Sequence, residues 1–253
     1  MKSDNKNKLT DGFVVSQCNK KAVKKCCKLV SDPHKGGSMV FVVGESACGK
    51  TALLHSIAQL YYKKYCQTAM FVTFQAMIDD LVDCIKDKNQ EPFFEKYGGS
   101  RLLLIDDVQC AVGLDAVQKE LAKIFKRFIA DGTNIIMCSE CGLNKYRIFK
   151  RRLSREKTFT VCKISEADFY LRKKVLNNVI NTENALVSKR VYHYLATNKK
   201  IKISSLKGCV LYIKLMTKID NSIVDDEIIS TLKKYENNQN KTCKEYLKRE
   251  KSD

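Results

Sequence analysis

Met39-Val-Phe-Val-Val43-Gly44-Glu-Ser-Ala-Cys-Gly49-Lys50-Thr51 is the stretch that decides the fold of this 253-residue chain. Five apolar residues lead directly into a full G-x-x-x-x-G-K-T, and a helical pattern follows Thr51. Strand, glycine-bearing loop and helix in that order form a phosphate cradle. Gly44 and Gly49 let the backbone wrap an anion, so that N–H groups and the helix N-terminus face it. The nucleotide-binding residues read from this segment are Gly44, Glu45, Ser46, Ala47, Cys48, Gly49, Lys50, Thr51 and Ala52. Lys50 reaches the β- and γ-phosphates, and the Thr51 hydroxyl is a ligand for Mg²⁺. Nucleoside triphosphate binding follows from the residues alone.

Working outward, Leu102-Leu-Leu-Ile-Asp106-Asp107 is an apolar strand that ends in two carboxylates. At a strand's C-terminal end Asp106 can hold Mg²⁺ through water, and Asp107 can polarise an attacking water. The plainer reading is an N-cap pair at the end of a core strand. Position downstream of a phosphate loop favours the catalytic one.

Between and beyond these segments strands and helices alternate. Strands are expected at 39–43, 69–74, 102–105, 134–138 and 159–164, and helices at 19–30, 50–65, 76–86 and 115–129. That alternation predicts an α/β fold: a P-loop NTPase with a parallel five-stranded sheet flanked by helices. From Ser165 the pattern becomes helical, at about 166–180, 184–197, 203–218 and 225–235, with breaks at Asn181-Thr182, Thr197-Asn198 and Asp220-Asn221. The expected organisation is a disordered N-terminus over 1–12, a nucleotide-binding domain over 13–164, a small α-helical subdomain over 165–235 and a polar tail over 236–253.

Composition bounds the function. Lys and Arg number 46 against 28 Asp and Glu, a net charge of +18, which makes a polyanion the first partner to test. Residues 1–164 carry 28 basic and 17 acidic groups and the rest 18 and 11, so the excess is a background rather than a tail. The longest aliphatic-aromatic run, Met39 to Val43, is far short of the roughly 20 residues of a membrane helix. The N-terminus is polar, without the apolar core of a secretory signal. With 12 cysteines but only Cys138-Ser-Glu-Cys141 at chelating spacing, free thiols in a reducing cytoplasm are the expectation rather than a zinc site. His34, His55 and His193 read as packing or surface residues.

Phe41 to His55 and Leu103-Leu-Ile-Asp-Asp-Val-Gln109 resemble the AAA+ ATPase domain of the bacterial DnaA/Hda replication initiator family. The Asp-Asp-Val-Gln ending favours that branch over helicase-loader ATPases, which more often show Asp-Glu. The likeness extends through Phe13 to Asn19, Ala69 to Phe74 and Phe94 to Tyr97. Ile135-Ile-Met-Cys-Ser139-Glu140 is similar to sensor 1, Arg152-Leu-Ser-Arg155 to the arginine-finger segment, and Leu206-Lys-Gly208 falls where sensor 2 lies. The resemblance implies an α-helical lid after the sheet domain, ATP and Mg²⁺ bound between self-associating subunits, and Arg155 reaching the neighbour's γ-phosphate with Arg151 or Arg152 as helper. A solvated basic helix is the alternative for Lys145 to Lys157, which holds seven basic groups. The family also binds single-stranded DNA through helices between its second and third strands. Here that segment spans about Gln75 to Gly99, with Lys86, Lys88 and Lys96 as candidates, or as a solvated helix end.

Departures from the pattern shape the expectation. Ala52 stands where the initiator has His, Cys110 where it has an aromatic residue, and Ser204 at the sensor 2 arginine. A serine supplies no cation to the γ-phosphate; Lys202 is the nearby substitute. The chain also ends soon after the lid helices, so the duplex-reading helix-turn-helix is not expected. The function implied is an ATP-dependent switch in replication initiation or its regulation. The rivals are a regulatory module with little turnover that contacts another replication ATPase or the clamp, and a helper of a helicase loader or transposase.

Overall fold

The computed structural model describes residues 13–31, 37–219 and 225–234. The expected disordered 1–12, most of the turn-rich stretch before the first strand, the break at Asp220-Asn221 and the tail 236–253 lie outside them. The chain divides into two compact units, with the division after Glu166.

The first unit is built on strands β1 (Met39–Val43), β2 (Met70–Thr73), β3 (Leu102–Asp106), β4 (Asn134–Ser139) and β5 (Phe159–Lys163). They form one parallel sheet in the order β2-β3-β4-β1-β5. Its central strands are near-continuous apolar runs because both faces are covered. Side chains alternate across the pleat. Met39, Phe41, Leu103, Ile105, Ile135 and Met137 face one core, and Val40, Val42, Leu102, Leu104, Ile136 and Cys138 face the other.

Helices α1 (Lys20–Ser31) and α2 (Lys50–Tyr65) cover the second face. Helices α3 (Phe74–Lys86), α4 (Glu91–Gly98), α5 (Asp115–Ala130) and α6 (Arg147–Leu153) cover the first. Helix α3 begins two residues earlier than the sequence pattern indicates, because the Thr73 side chain accepts from Ala76 N and caps it. Helix α4, to which the sequence pattern assigned no helix of its own, is set in place by Phe93 and Tyr97 in the core.

Register positions the functional edge. Val43 pairs with Ser139, and Ile105 with Met137, so β1, β4 and β3 end side by side. In a parallel sheet the loops beyond these C-terminal ends share one crevice.

The second unit holds α7 (Phe169–Glu183), α8 (Lys189–Thr197), a 3₁₀ turn (Ile203–Ser205), α9 (Leu206–Ile219) and a helix over 225–234, α10. Asp168 caps α7 through Leu171 N at 2.7 Å, and Ser188 caps α8 through Val191 N at 3.2 Å. The expected break at Asn181-Thr182 is corrected: α7 continues to Glu183. Asn184 takes a left-handed conformation (φ 49°) as its C-cap, and Ala185 N returns to Ile180 O at 3.1 Å.

Arg172 ties this unit together. Its buried guanidinium donates to the carbonyls of Leu195, Ala196, Asn198 and Ile201 at 2.7 to 3.2 Å, satisfying the exposed end of α8. Replacing it removes the donor from the buried carbonyls of Leu195, Ala196 and Ile201. Arg172→Met is expected to cost about 3 kcal/mol. Hydrogen exchange should show the loss as reduced protection of α8 and α9 amides, with the sheet amides unchanged; wild-type protection in α8 would contradict it.

Candidate nucleotide site

The loop between β1 and α2 carries the first group of site residues. Gly49 takes φ +100° immediately before α2, a region that side chains rarely enter, and Ala47 sits at φ 61°. Gly44 is required for a different reason: a Cβ there would lie 2.5 Å from Cys48 Sγ and 3.0 Å from Ile164 O. No side chain caps α2 at Gly49, so the N-terminal N–H groups of a 16-residue helix are left for another acceptor.

Lys50 opens α2 and is buried, with Nζ donating to Gly44 O at 3.0 Å and Glu45 O at 2.9 Å. Its nearest carboxylate is Glu140, 3.7 Å away. The ammonium is therefore held inside the loop by carbonyls rather than neutralised by a close ion pair. Thr51 follows, and its hydroxyl donates to Asp106 Oδ2 at 2.6 Å. Asp106 is buried at the end of β3, and its other oxygen accepts from Asp107 N at 3.0 Å.

Asp107 is exposed and turns the chain with φ 56°, a left-handed conformation, just beyond the end of β3. Gln109 steadies it. Its amide donates to Asp107 Oδ1 at 2.8 Å, while its carbonyl accepts from Glu140 N at 3.3 Å. This bridge from β3 to β4 was not read from the sequence as a role for Gln109, because a glutamine in a turn carries no signal by itself.

The sensor pair separates. The Ser139 side chain is buried, bonded to the Tyr146 hydroxyl and accepting from Cys141 N at 2.9 Å. Glu140 is the member that faces Lys50. Burial pushes the Tyr146 hydroxyl up to about 12, so it stays a neutral hydrogen-bonding partner for Ser139. Behind the loop, desolvation raises the Cys138 and Cys26 thiols well above the usual range, and they act as small apolar fillers. Cys48, in the loop itself, is also raised by burial, against the opposing pull of Lys50.

Arg155 lies in the turn between α6 and β5, exposed and without an ion pair among the described residues. Arg151 is exposed, whereas the Arg152 Nε is buried without a hydrogen-bond partner. The segment is positioned by Gln118, which is fully buried on α5. Its carbonyl accepts from Ile148 N and Phe149 N at 3.1 and 3.4 Å, and its amide donates to Ala111 O at 2.8 Å. A lone glutamine on the apolar face of α5, in line with Leu121, Ala122 and Phe125, was the available signal.

The remaining candidates lie apart. Lys86 pairs with Asp83 at 3.0 Å and Lys96 with Asp80 at 2.6 Å, while Lys88 is exposed at φ 52°. Residues 74–99 hold six carboxylates and three lysines, a net −3 within a chain of +18. Ala52 is exposed on the first turn of α2. Ser204 is exposed in the 3₁₀ turn of the second unit, and Lys202 is exposed just before it.

A phosphate loop at the end of β1, flanked through this strand order by the acidic end of β3 and the end of β4, defines a P-loop NTPase of the AAA+ type. A sequence model described as the bacterial DnaA ATPase domain matches residues 4–162, and the chain belongs to that family. The chain is 28% identical over 220 residues to the chromosomal replication initiator protein DnaA of Caldanaerobacter subterraneus subsp. tengcongensis, covering 86% of this chain and 50% of that protein. It thus spans about half the length of the curated relatives it matches. It is also similar to domain III of the Thermotoga maritima replication initiation protein DnaA, with 28% identity and a TM-score of 0.76, covering 88% of this chain and 94% of that one. A replication initiator DnaA solved with AMPPCP and single-stranded DNA matches at 25% identity and a TM-score of 0.69, over 84% of this chain and 66% of that one. No helix among the described residues is long and apolar enough to cross a membrane.

The clash at Gly44 can be tested by relief. Gly44→Ala should lower the melting temperature, and adding Cys48→Ala should recover part of the loss, because removing Sγ leaves the 3.0 and 3.3 Å approaches to Ile164 O and Cβ. Thermal unfolding of the single and double variants checks this; no recovery would mean that the cysteine is not what the added methyl meets.

Proposed function

We propose that this chain binds ATP with Mg²⁺ and serves as a nucleotide switch in the initiation of DNA replication or its regulation. The observation that carries the reading is the convergence of Lys50, Thr51 and Asp106, which brings an ammonium, a hydroxyl and a carboxylate to the mouth of a loop of N–H donors. The relative solved with AMPPCP supports the choice of adenine nucleotide.

Mg²⁺ suits these residues, since Thr51 Oγ1 and Asp106 Oδ2 are hard oxygen donors already 2.6 Å apart. Held by Thr51 and Asp106, it would neutralise charge on the β- and γ-phosphates. The loop N–H groups and Lys50 bind and orient the triphosphate. Asp107, held by Gln109, polarises water for in-line attack on the γ-phosphorus. Glu140 is the sensing group nearest Lys50, so the resemblance-derived sensor role passes to it more readily than to Ser139.

Arg155 completes the site from a neighbouring subunit. Its exposure and its freedom from ion pairs among the described residues support a role across an interface. Hydrolysis per subunit is then expected to rise with protein concentration. Arg155→Ala should lower turnover by about 10³-fold while ATP affinity is retained. Mixing Arg155→Ala with Lys50→Ala should restore activity, because one variant supplies an intact loop and the other an intact arginine. Turnover that stays flat with concentration, or a mixture as inactive as its parts, would remove the composite site.

A second reading has its own support. Ser204 offers no cation at the sensor 2 position, which favours a binding module that uses nucleotide to shape a surface and turns over slowly. Titration of ATP against ADP separates the two. A switch binds them with different assembly states, whereas a slow module holds either without assembling. Single-stranded DNA contact through Lys86, Lys88 and Lys96 is supported by the strand-bound relative. It would require phosphates to displace Asp83 and Asp80 from Lys86 and Lys96.

A further inference from the structure

Helix α1 buries Ala22, Val23, Cys26, Cys27, Leu29 and Val30 against α2 and the sheet. Its outer face is Lys20, Lys21, Lys24, Lys25 and Lys28, all exposed, and the helix has no acidic residue. Lys64 of α2 continues the row, donating to Ser31 O at the end of α1 at 2.8 Å, with Lys63 beside it in sequence.

Some basic groups elsewhere in the first unit are answered by acids: Lys123 by Glu120, Lys126 by Glu156, Arg147 by Asp115, Lys86 by Asp83 and Lys96 by Asp80. None of the five α1 lysines forms an ion pair among the described residues. Residues 1–12 add three lysines against two aspartates, so their sequence does not offset the charge.

On balance these lysines do not favour the helix, since only Lys28, in its last turn, complements the dipole. Lys20–Lys24, Lys24–Lys28 and Lys21–Lys25 are like-charged neighbours one turn apart, which repel. Lys20 and Lys21 also oppose the helix dipole at its N-terminus. The buried face holds α1 in place despite this, and the outer face is free for a polyanion.

We propose that the outer face of α1, extended by Lys63 and Lys64, is a sequence-independent binding surface for the phosphate backbone of duplex DNA. The helical rise sets the row from Lys20 to Lys28 at about 12 Å, enough to meet about three phosphates of a rigid duplex. The exposed face of α1 carries no aromatic side chain, so it lacks the stacking platform by which single strands are held. Its apolar face is committed to the core, so nothing remains to insert into a lipid surface. The surface is independent of the nucleotide site and lies on the opposite sheet face from the acidic α3–α4 segment.

The test uses the full chain and a fluorescent duplex of arbitrary sequence of about 20 base pairs, titrated by anisotropy between about 50 and 200 mM salt. The variant K20Q/K21Q/K24Q/K25Q/K28Q should bind at least about tenfold more weakly, with a salt slope shallower by about 3. Gln matches Lys closely in helix propensity, and circular dichroism and ATP binding check that the variant is folded. The all-Arg counterpart should bind as the wild type does. Glutamine at Lys173, Lys174, Lys189, Lys218 and Lys233, five exposed lysines of the second unit, should leave the slope unchanged.

A wild-type slope in the α1 Gln variant overturns the proposal, as does an equal loss in the second-unit variant, which would make the effect one of net charge. Tighter binding to a single strand of the same length than to the duplex overturns it too. So does binding to phosphatidylserine vesicles without binding to the duplex.

Discussion

The hydrogen bond from Thr51 to Asp106 joins residues 55 apart in the chain, and the site exists because the sheet brings them together. Thr51 lies in the first turn of the helix after β1, and Asp106 closes β3, with β4 lying between the two strands. Only a parallel arrangement in this order puts a phosphate loop, a buried carboxylate and the end of β4 on one edge. A one-residue slip in β3 would turn Asp106 to the other face of the sheet and bury an unpaired carboxylate. The core residues on either side of each strand hold that register.

Around this bond the structure sorts polar groups by what they are held to. Asp106 and Ser139 are buried and hydrogen-bonded, whereas Asp107, Glu140 and Arg155 are exposed. Gln109 and Gln118 brace the neighbourhood of the exposed groups, one steadying Asp107 against the end of β4 and the other fixing the start of α6 against α5. Buried, satisfied groups set positions; exposed ones are available to act. The same division separates Lys50, held by two carbonyls, from the lysines of α1, which form no ion pair among the described residues.

Charge is organised on a larger scale than the site. The +18 of the chain is spread almost evenly along its sequence, yet the fold gathers it unequally. Helix α1 has five lysines and no acid, while residues 74–99 are net acidic and pair two of their three lysines internally. Even distribution along a chain is compatible with patches in space, because a helix projects every third or fourth residue onto one face.

The glycine spacing, the apolar runs and the terminal carboxylates made the phosphate loop and the parallel sheet legible, since each rests on local chemistry and short-range periodicity. The end of α7 was misplaced because Asn184, not Asn181, takes the left-handed cap, a choice made by backbone geometry rather than composition. Ser139 and Glu140 look interchangeable as a dipeptide; Tyr146 claims the serine and leaves the glutamate beside Lys50. Gln109 and Gln118 gain their importance from partners on other elements. The sequence by itself put forward the groups from which a candidate nucleotide site is built. Tertiary structure decided which of them are buried, paired or exposed, because burial and hydrogen bonding depend on neighbours that the chain brings close only when it folds.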